Sequence, residues 1–221
     1  MATSARCLFL CGILSCSVRG DDGASRVGRR VPEVWLCPPP GRVFDLVSHP
    51  SEWSFSRQQL AGVKLYIGDL RRAEVPDLAG LAALLRASGL QVAVECGGTL
   101  NAAWEDLAGE KSAEIEMQAF ARWRDAGGEI HFLDMDGPVR RLLGHGGWGK
   151  DAGKRFVSYN RCAAELMDYM ASVRREHPGI RFLLLTNFPN WGYRGDVSYH
   201  GRGHLRQDWG DYHDVVTAVL A

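Results

Sequence analysis

The stretch "EIHFLDMDGP", residues 129–138, decides how the chain is read. Ile130, Phe132 and Leu133 predict a buried β-strand. Asp134 and Asp136 then arrive two residues apart, and Gly137 and Pro138 follow. Side chains repeat every two residues along a strand, so Asp134 and Asp136 share a row with Phe132 and Ile130. The sequence does not say whether that row faces inward or outward. A carboxylate in apolar surroundings is costly unless it is paired. Two of them at the end of an apolar strand mark a place where binding or chemistry is expected.

The same rhythm runs outward in both directions. "EVWLCPPP" (33–40) and "GVKLYIGDL" (62–70) read as strands. "PDLAGLAALLRASG" (76–89) is a helix, with Leu78, Leu81, Leu84 and Leu85 on one stripe and Gly89 closing it. "LQVAVECGG" (90–98) is a third strand and "SAEIEMQAFARWRDAGG" (112–128) a second helix. After the fourth strand, 129–138, come a long helix over 155–179, a fifth strand over 180–192 and a helix beginning near 211. Near-continuous apolar strands alternating with helices predict a parallel sheet covered by helices. Gly62, Gly89, Gly128 and Gly179 precede strands. The unusual residues gather at strand C-terminal ends, including Glu95-Cys96-Gly97-Gly98, Asp134-x-Asp136 and Asn187-Phe188-Pro189-Asn190-Trp191. In parallel α/β folds that is the ligand-binding face.

No GxGxxG follows the first strand, and no GxxxxGK[ST] occurs. "GHGGWGK" (144–150) follows a loop rather than a strand. A (β/α)8 TIM-type barrel therefore fits better than a dinucleotide-binding sheet. Such a barrel needs eight strands and typically about 250 residues. About five βα units are present, so an incomplete barrel is expected.

"GVKLYIGDL", "VAVECGGTL", "GGEIHFLDMDGP" and "NFPNWGYRGDVSYHGRG…WGDYHDVV" resemble secreted, mostly uncharacterised bacterial proteins with a TIM-barrel, glycoside-hydrolase-like fold. The resemblance covers roughly residues 32–221 and looks like the first five strands of such a barrel. Similar sequences carry an acidic residue after the strand-four aspartate, "MDEP"-like, where this chain has Gly137. The resemblance implies a carbohydrate substrate.

Glycoside hydrolysis needs two carboxyl groups, one protonating the leaving oxygen and one ionised. Glu95, Asp134 and Asp136 are the candidates, with Glu95 as proton donor and an aspartate as its partner. Lys64 sits in mid-strand, where a buried ammonium needs a partner. Glu95 or a nearby aspartate would hold it; otherwise it reaches water at the barrel bottom. Tyr66, Asn187, Trp191 and Tyr193 are candidate sugar-binding residues, with Trp35, Trp148, Trp209 and Tyr212 further aromatics near strand ends. Trp123, inside a helix, belongs to the core. The chemistry requires no cofactor. The histidines do not cluster, with His131 placed mid-strand opposite the aspartates. A metal-dependent isomerase or epimerase using Glu95, Asp134 and His200 is the first rival. A non-catalytic sugar binder or an inactive truncated barrel is the second.

Composition bounds the rest. Lys+Arg and Asp+Glu both number 26, which argues against a nucleic-acid partner. No 18-residue apolar run predicts a membrane span. Residues 1–20, with one Arg before an apolar run, resemble a signal peptide or leader, and Cys16 sits in a poor lipoprotein box. Residues 21–31 read as a linker and 32–221 as the barrel domain, secreted or periplasmic. Outside the leader, Cys37, Cys96 and Cys162 are widely spaced and predict neither a disulfide framework nor a zinc site.

Overall fold

The computed structural model describes residues 33–100, 107–143 and 158–185. The leader, the linker, the 144–150 glycine segment, Asn187, Trp191, Tyr193, Trp209, Tyr212, the histidines at 200, 204 and 213 and the helix near 211 lie outside the described residues.

Five strands form one parallel sheet: β1 (Trp35–Leu36), β2 (Gly62–Tyr66), β3 (Gln91–Cys96), β4 (Phe132–Asp136) and β5 (Arg181–Leu185). Their spatial order is β1-β2-β3-β4-β5, each strand hydrogen-bonded to the next in the chain. Helices fill the connections: α1 (Asp45–Ser48), α2 (Ser54–Arg57), α3 (Ile67–Arg72), α4 (Val75–Ala87), α5 (Ala108–Asp125), α6 (Pro138–Leu143) and α7 (Tyr159–Glu176). The α/β class and the strand–helix alternation expected from the sequence are both present.

The alternation along the strands sorts the two faces. Val63, Leu65, Val92, Val94, Cys96, Leu133 and Met135 join Leu78, Leu81, Leu85, Phe120, Trp123 and Tyr169 from the helices in one core. Full burial of each large apolar side chain in it contributes about 1.5–3 kcal/mol relative to exposure. Trp123 is part of this core, as expected. The other face carries a separate apolar cluster of Trp35, Ala93 and Phe132, to which no described helix contributes. Trp35 thus packs against Phe132, its ring edge-on at 5.3 Å.

Several boundaries differ from the sequence reading. The first strand shrinks from 33–40 to Trp35–Leu36, because Pro38, Pro39 and Pro40 have no N–H to give a neighbour. The second ends at Tyr66 instead of residue 70. Ile67 and Leu70 stand one helical turn apart and both pack on the core, so the chain turns into α3. His131 lies just before β4, not within it, and its Nδ1 accepts the Val92 N–H at 3.1 Å. Helix α5 starts at Ala108, four residues earlier than expected. Gly109 permits this, since a Cβ there would fall 2.0 Å from the Glu165 carbonyl oxygen of α7. Helix α7 starts at Tyr159 because Ser158 caps it, its hydroxyl accepting the Arg161 N–H at 3.2 Å.

Candidate functional site

Register decides which side chains meet. Tyr66 on β2 stands opposite Glu95 on β3, and Glu95 opposite Asp134 on β4. Neighbours in register on parallel strands point to the same side, so these three form one row across the sheet. Lys64 lies two residues before Tyr66 on the same face. Asp136 follows two residues after Asp134 and ends β4. All five therefore lie on the face opposite the helices, with Lys64 level with Ala93 and Phe132 and the other four toward the strand C-termini.

Lys64 is the hub. Its Nζ donates to Glu95 Oε2 and lies 3.5 Å from Asp134 Oδ2. The ammonium also sits 5.4 Å from the Tyr66 ring centre, within cation–π range. The opposite end of the Tyr66 ring reaches toward β1, where its hydroxyl is 3.6 Å from Cys37 Sγ. Lys64 is buried, with 7% of its surface exposed, so it does not reach water at the bottom of the sheet. Side-chain exposure falls from 19% at Glu95 to 3% at Asp134, which makes Glu95 the more accessible carboxyl.

Burial and charge set the protonation chemistry. Burial pushes the Asp134 carboxyl up to about 6; the Lys64 charge opposes the rise, and the charges of Glu95 and Asp136 add to it. Burial pulls the Lys64 ammonium down, but the bond and attraction to Glu95, with Asp134 behind it, outweigh this and raise it well above its ordinary value. Lys64 is thus a fixed cation rather than a nucleophilic amine. Burial, followed by the contact with Cys37, raises the Tyr66 hydroxyl, which stays protonated. The cluster combines a fixed positive charge, an ion-paired carboxylate and a carboxyl that exchanges its proton near neutral pH.

The neighbouring loops are held by further polar groups. Asp69 at the start of α3 is buried, and its Oδ1 accepts the Gly41 N–H at 2.9 Å. That bond fixes the proline-rich loop after Cys37. Gly137, after the second aspartate, has φ +64 with nothing within 4 Å of a Cβ position. An acidic residue there would meet open space but an unfavourable backbone.

The row brings together Lys64, Tyr66, Glu95 and Asp134, with Asp136 beside them. Sequence reasoning singled out all five but could not orient them. It missed Glu116 on α5 and Tyr169 on α7, which are fully buried behind the Glu95 strand end. The available signal was a carboxylate on an apolar stripe: Glu116 falls in step with Ser112, Ala113, Phe120 and Trp123. Among the described residues, no group of three His, Cys, Asp or Glu side chains could hold a metal ion. No described helix is long and apolar enough to cross a membrane.

Fold and site together define a parallel βα-repeat protein with a charged row at the strand C-termini. No family model, curated protein or solved structure matches the chain.

Proposed function

We propose that the protein is a carboxyl acid–base hydrolase of glycosidase type, built on a (β/α)8-type barrel. Strand order without reversal and helices on one face of the sheet support the barrel architecture. The observation that carries the chemistry is the Glu95–Lys64–Asp134 cluster, two carboxyl groups bracketing one ammonium in a largely buried row.

Asp134, raised to about 6, is the proton donor to the leaving oxygen. Glu95, ion-paired to Lys64 and more exposed, is the ionised partner. These roles reverse the sequence expectation, because burial favours the proton on Asp134. One ammonium meets both groups, so the two carboxyls face each other across Lys64 as the paired carboxyls of a retaining glycosidase would. Tyr66 would form one wall of the sugar site. Carbohydrate binding and secretion belong to this same proposal.

The test is hydrolysis of a panel of nitrophenyl glycosides by the full chain and by Glu95→Gln and Asp134→Asn. A 2-deoxy-2-fluoro glycoside is added to trap a covalent intermediate. Each variant should lose roughly 100- to 10,000-fold in rate, and wild-type activity should fall as pH rises through about 6. The trapped sugar should map to Glu95. No turnover on any glycoside, or full turnover by Glu95→Gln, overturns the reading.

A further inference from the structure

Helices α5 and α7 place polar groups in a core that could have been wholly apolar. Glu116, Ser112, Glu165 and Tyr169 are all fully buried. A buried carboxylate costs several kcal/mol unless donors compensate it. Three donors meet Glu116: the Gly97 N–H at 2.7 Å, the Gly98 N–H at 3.4 Å and the Tyr169 hydroxyl at 2.7 Å. Cys96 Sγ lies 3.3 Å from the same hydroxyl.

These bonds stitch one particular segment to the helix layer, the loop that follows Glu95. Ser112 continues the seam, its hydroxyl accepting the Leu100 N–H at 2.8 Å. Two contacts tie the loop to β4 and its continuation. Thr99 Oγ1 donates to the Pro138 carbonyl at 3.2 Å. Gly98, at φ +70, lies so close to Met135 that a Cβ would come within 3.1 Å of its side chain. Met135 sits between Asp134 and Asp136. The loop is thus bolted on one side to α5 and on the other to the strand that carries the aspartates.

We infer that Glu116 is a positioning residue: through the Gly97–Leu100 loop it holds Glu95 against Lys64 and keeps Asp134 shielded from water. Glu116 touches none of the three. It acts by denying the loop any second arrangement, as a satisfied buried polar network does. The inference rests on Glu95 and Asp134 being the working carboxyls.

The test is a carboxyl-carbon NMR titration of the full chain, with the Asp134 signal assigned by its loss in Asp134→Asn. Wild type, Glu116→Gln and Tyr169→Phe are compared with Glu165→Gln. Glu165 is buried in the same helix pair, where it accepts the Gly109 N–H at 2.7 Å and pairs with Arg161. Glutamine at 116 sets an amide donor against backbone donors, so the loop loosens and water reaches Asp134. Its titration midpoint should fall from about 6 by roughly one pH unit in Glu116→Gln, and in the same direction in Tyr169→Phe, while Glu165→Gln titrates as wild type. An unmoved midpoint in Glu116→Gln, or an equal shift in Glu165→Gln, overturns the assignment. If Glu116→Gln does not fold, Tyr169→Phe, which removes the hydroxyl that donates to Glu116, is read by the same criterion. The titration needs no substrate. A shift without glycoside hydrolysis sinks the proposed function alone, and hydrolysis without a shift sinks the positioning role alone.

Discussion

Replacing Asp134 by Asn tests the electrostatics of the row most directly. Asparagine keeps the shape of the side chain but cannot titrate. In the wild-type protein burial raises this carboxyl from an ordinary 3.8 to about 6. Between those two values the folded protein keeps a proton that the unfolded chain has lost. A raised pKa contributes stability that is fully present below the unfolded value and is lost as pH rises through the folded one. At about 1.4 kcal/mol per pH unit, the interval corresponds to about 3 kcal/mol. Lys64 stays charged throughout this window and adds no slope of its own. The assay is urea denaturation followed by tryptophan fluorescence, for both proteins, from about pH 3.5 to about pH 7.5. Other carboxyl groups titrate in both proteins, so the difference between the two stabilities isolates Asp134. Wild type should lose about 3 kcal/mol relative to Asp134→Asn on going from the acid to the neutral end. Parallel curves would refute the argument that Asp134 is buried and short of compensation. A difference of opposite sign would mean that Lys64 lowers the carboxyl instead, and that Asp134 is an ordinary ion-pair partner.

Three further variants test packing and pairing. Lys64→Met leaves Glu95 and Asp134 facing each other in a largely buried row, and stability at neutral pH should fall by about 3–5 kcal/mol. The loss should shrink in acid as Asp134 takes up its proton, and denaturation curves at the two pH values check both points. Gly109→Ala drives a methyl into the Glu165 carbonyl, so it should cost about 1–3 kcal/mol or more. Gly137→Ala meets open space at φ +64 and should cost only about 1–2 kcal/mol, from backbone strain alone. Thermal melts of the two glycine variants side by side distinguish close packing from conformation.

Much of the sheet was legible because apolar strand segments and helical stripes are local patterns. The stripe of Leu78, Leu81 and Leu85 announced α4, and the apolar run ending in Asp134 and Asp136 announced β4. Boundaries were less legible. Nothing near Ala108 in sequence indicates that α7 will pack against it closely enough to require Gly109. Ile67 and Leu70 fit a strand or a helix until the core beneath them is known. Lys64 could be seen to need a partner, but the choice between Glu95 and an aspartate is a matter of register. Glu116 went unremarked because its three donors come from a loop and from another helix.

The amino-acid sequence alone determined the α/β class, the element order and the short list of Lys64, Tyr66, Glu95, Asp134 and Asp136, since periodicity and misplaced charges can be read without neighbours. Tertiary structure decided which face the row occupies, that one ammonium serves two carboxyls, and that Asp134 is the one burial pushes up. Those outcomes depend on strand register and on what covers each side chain. Both are set by residues tens of positions away, and no local pattern encodes them.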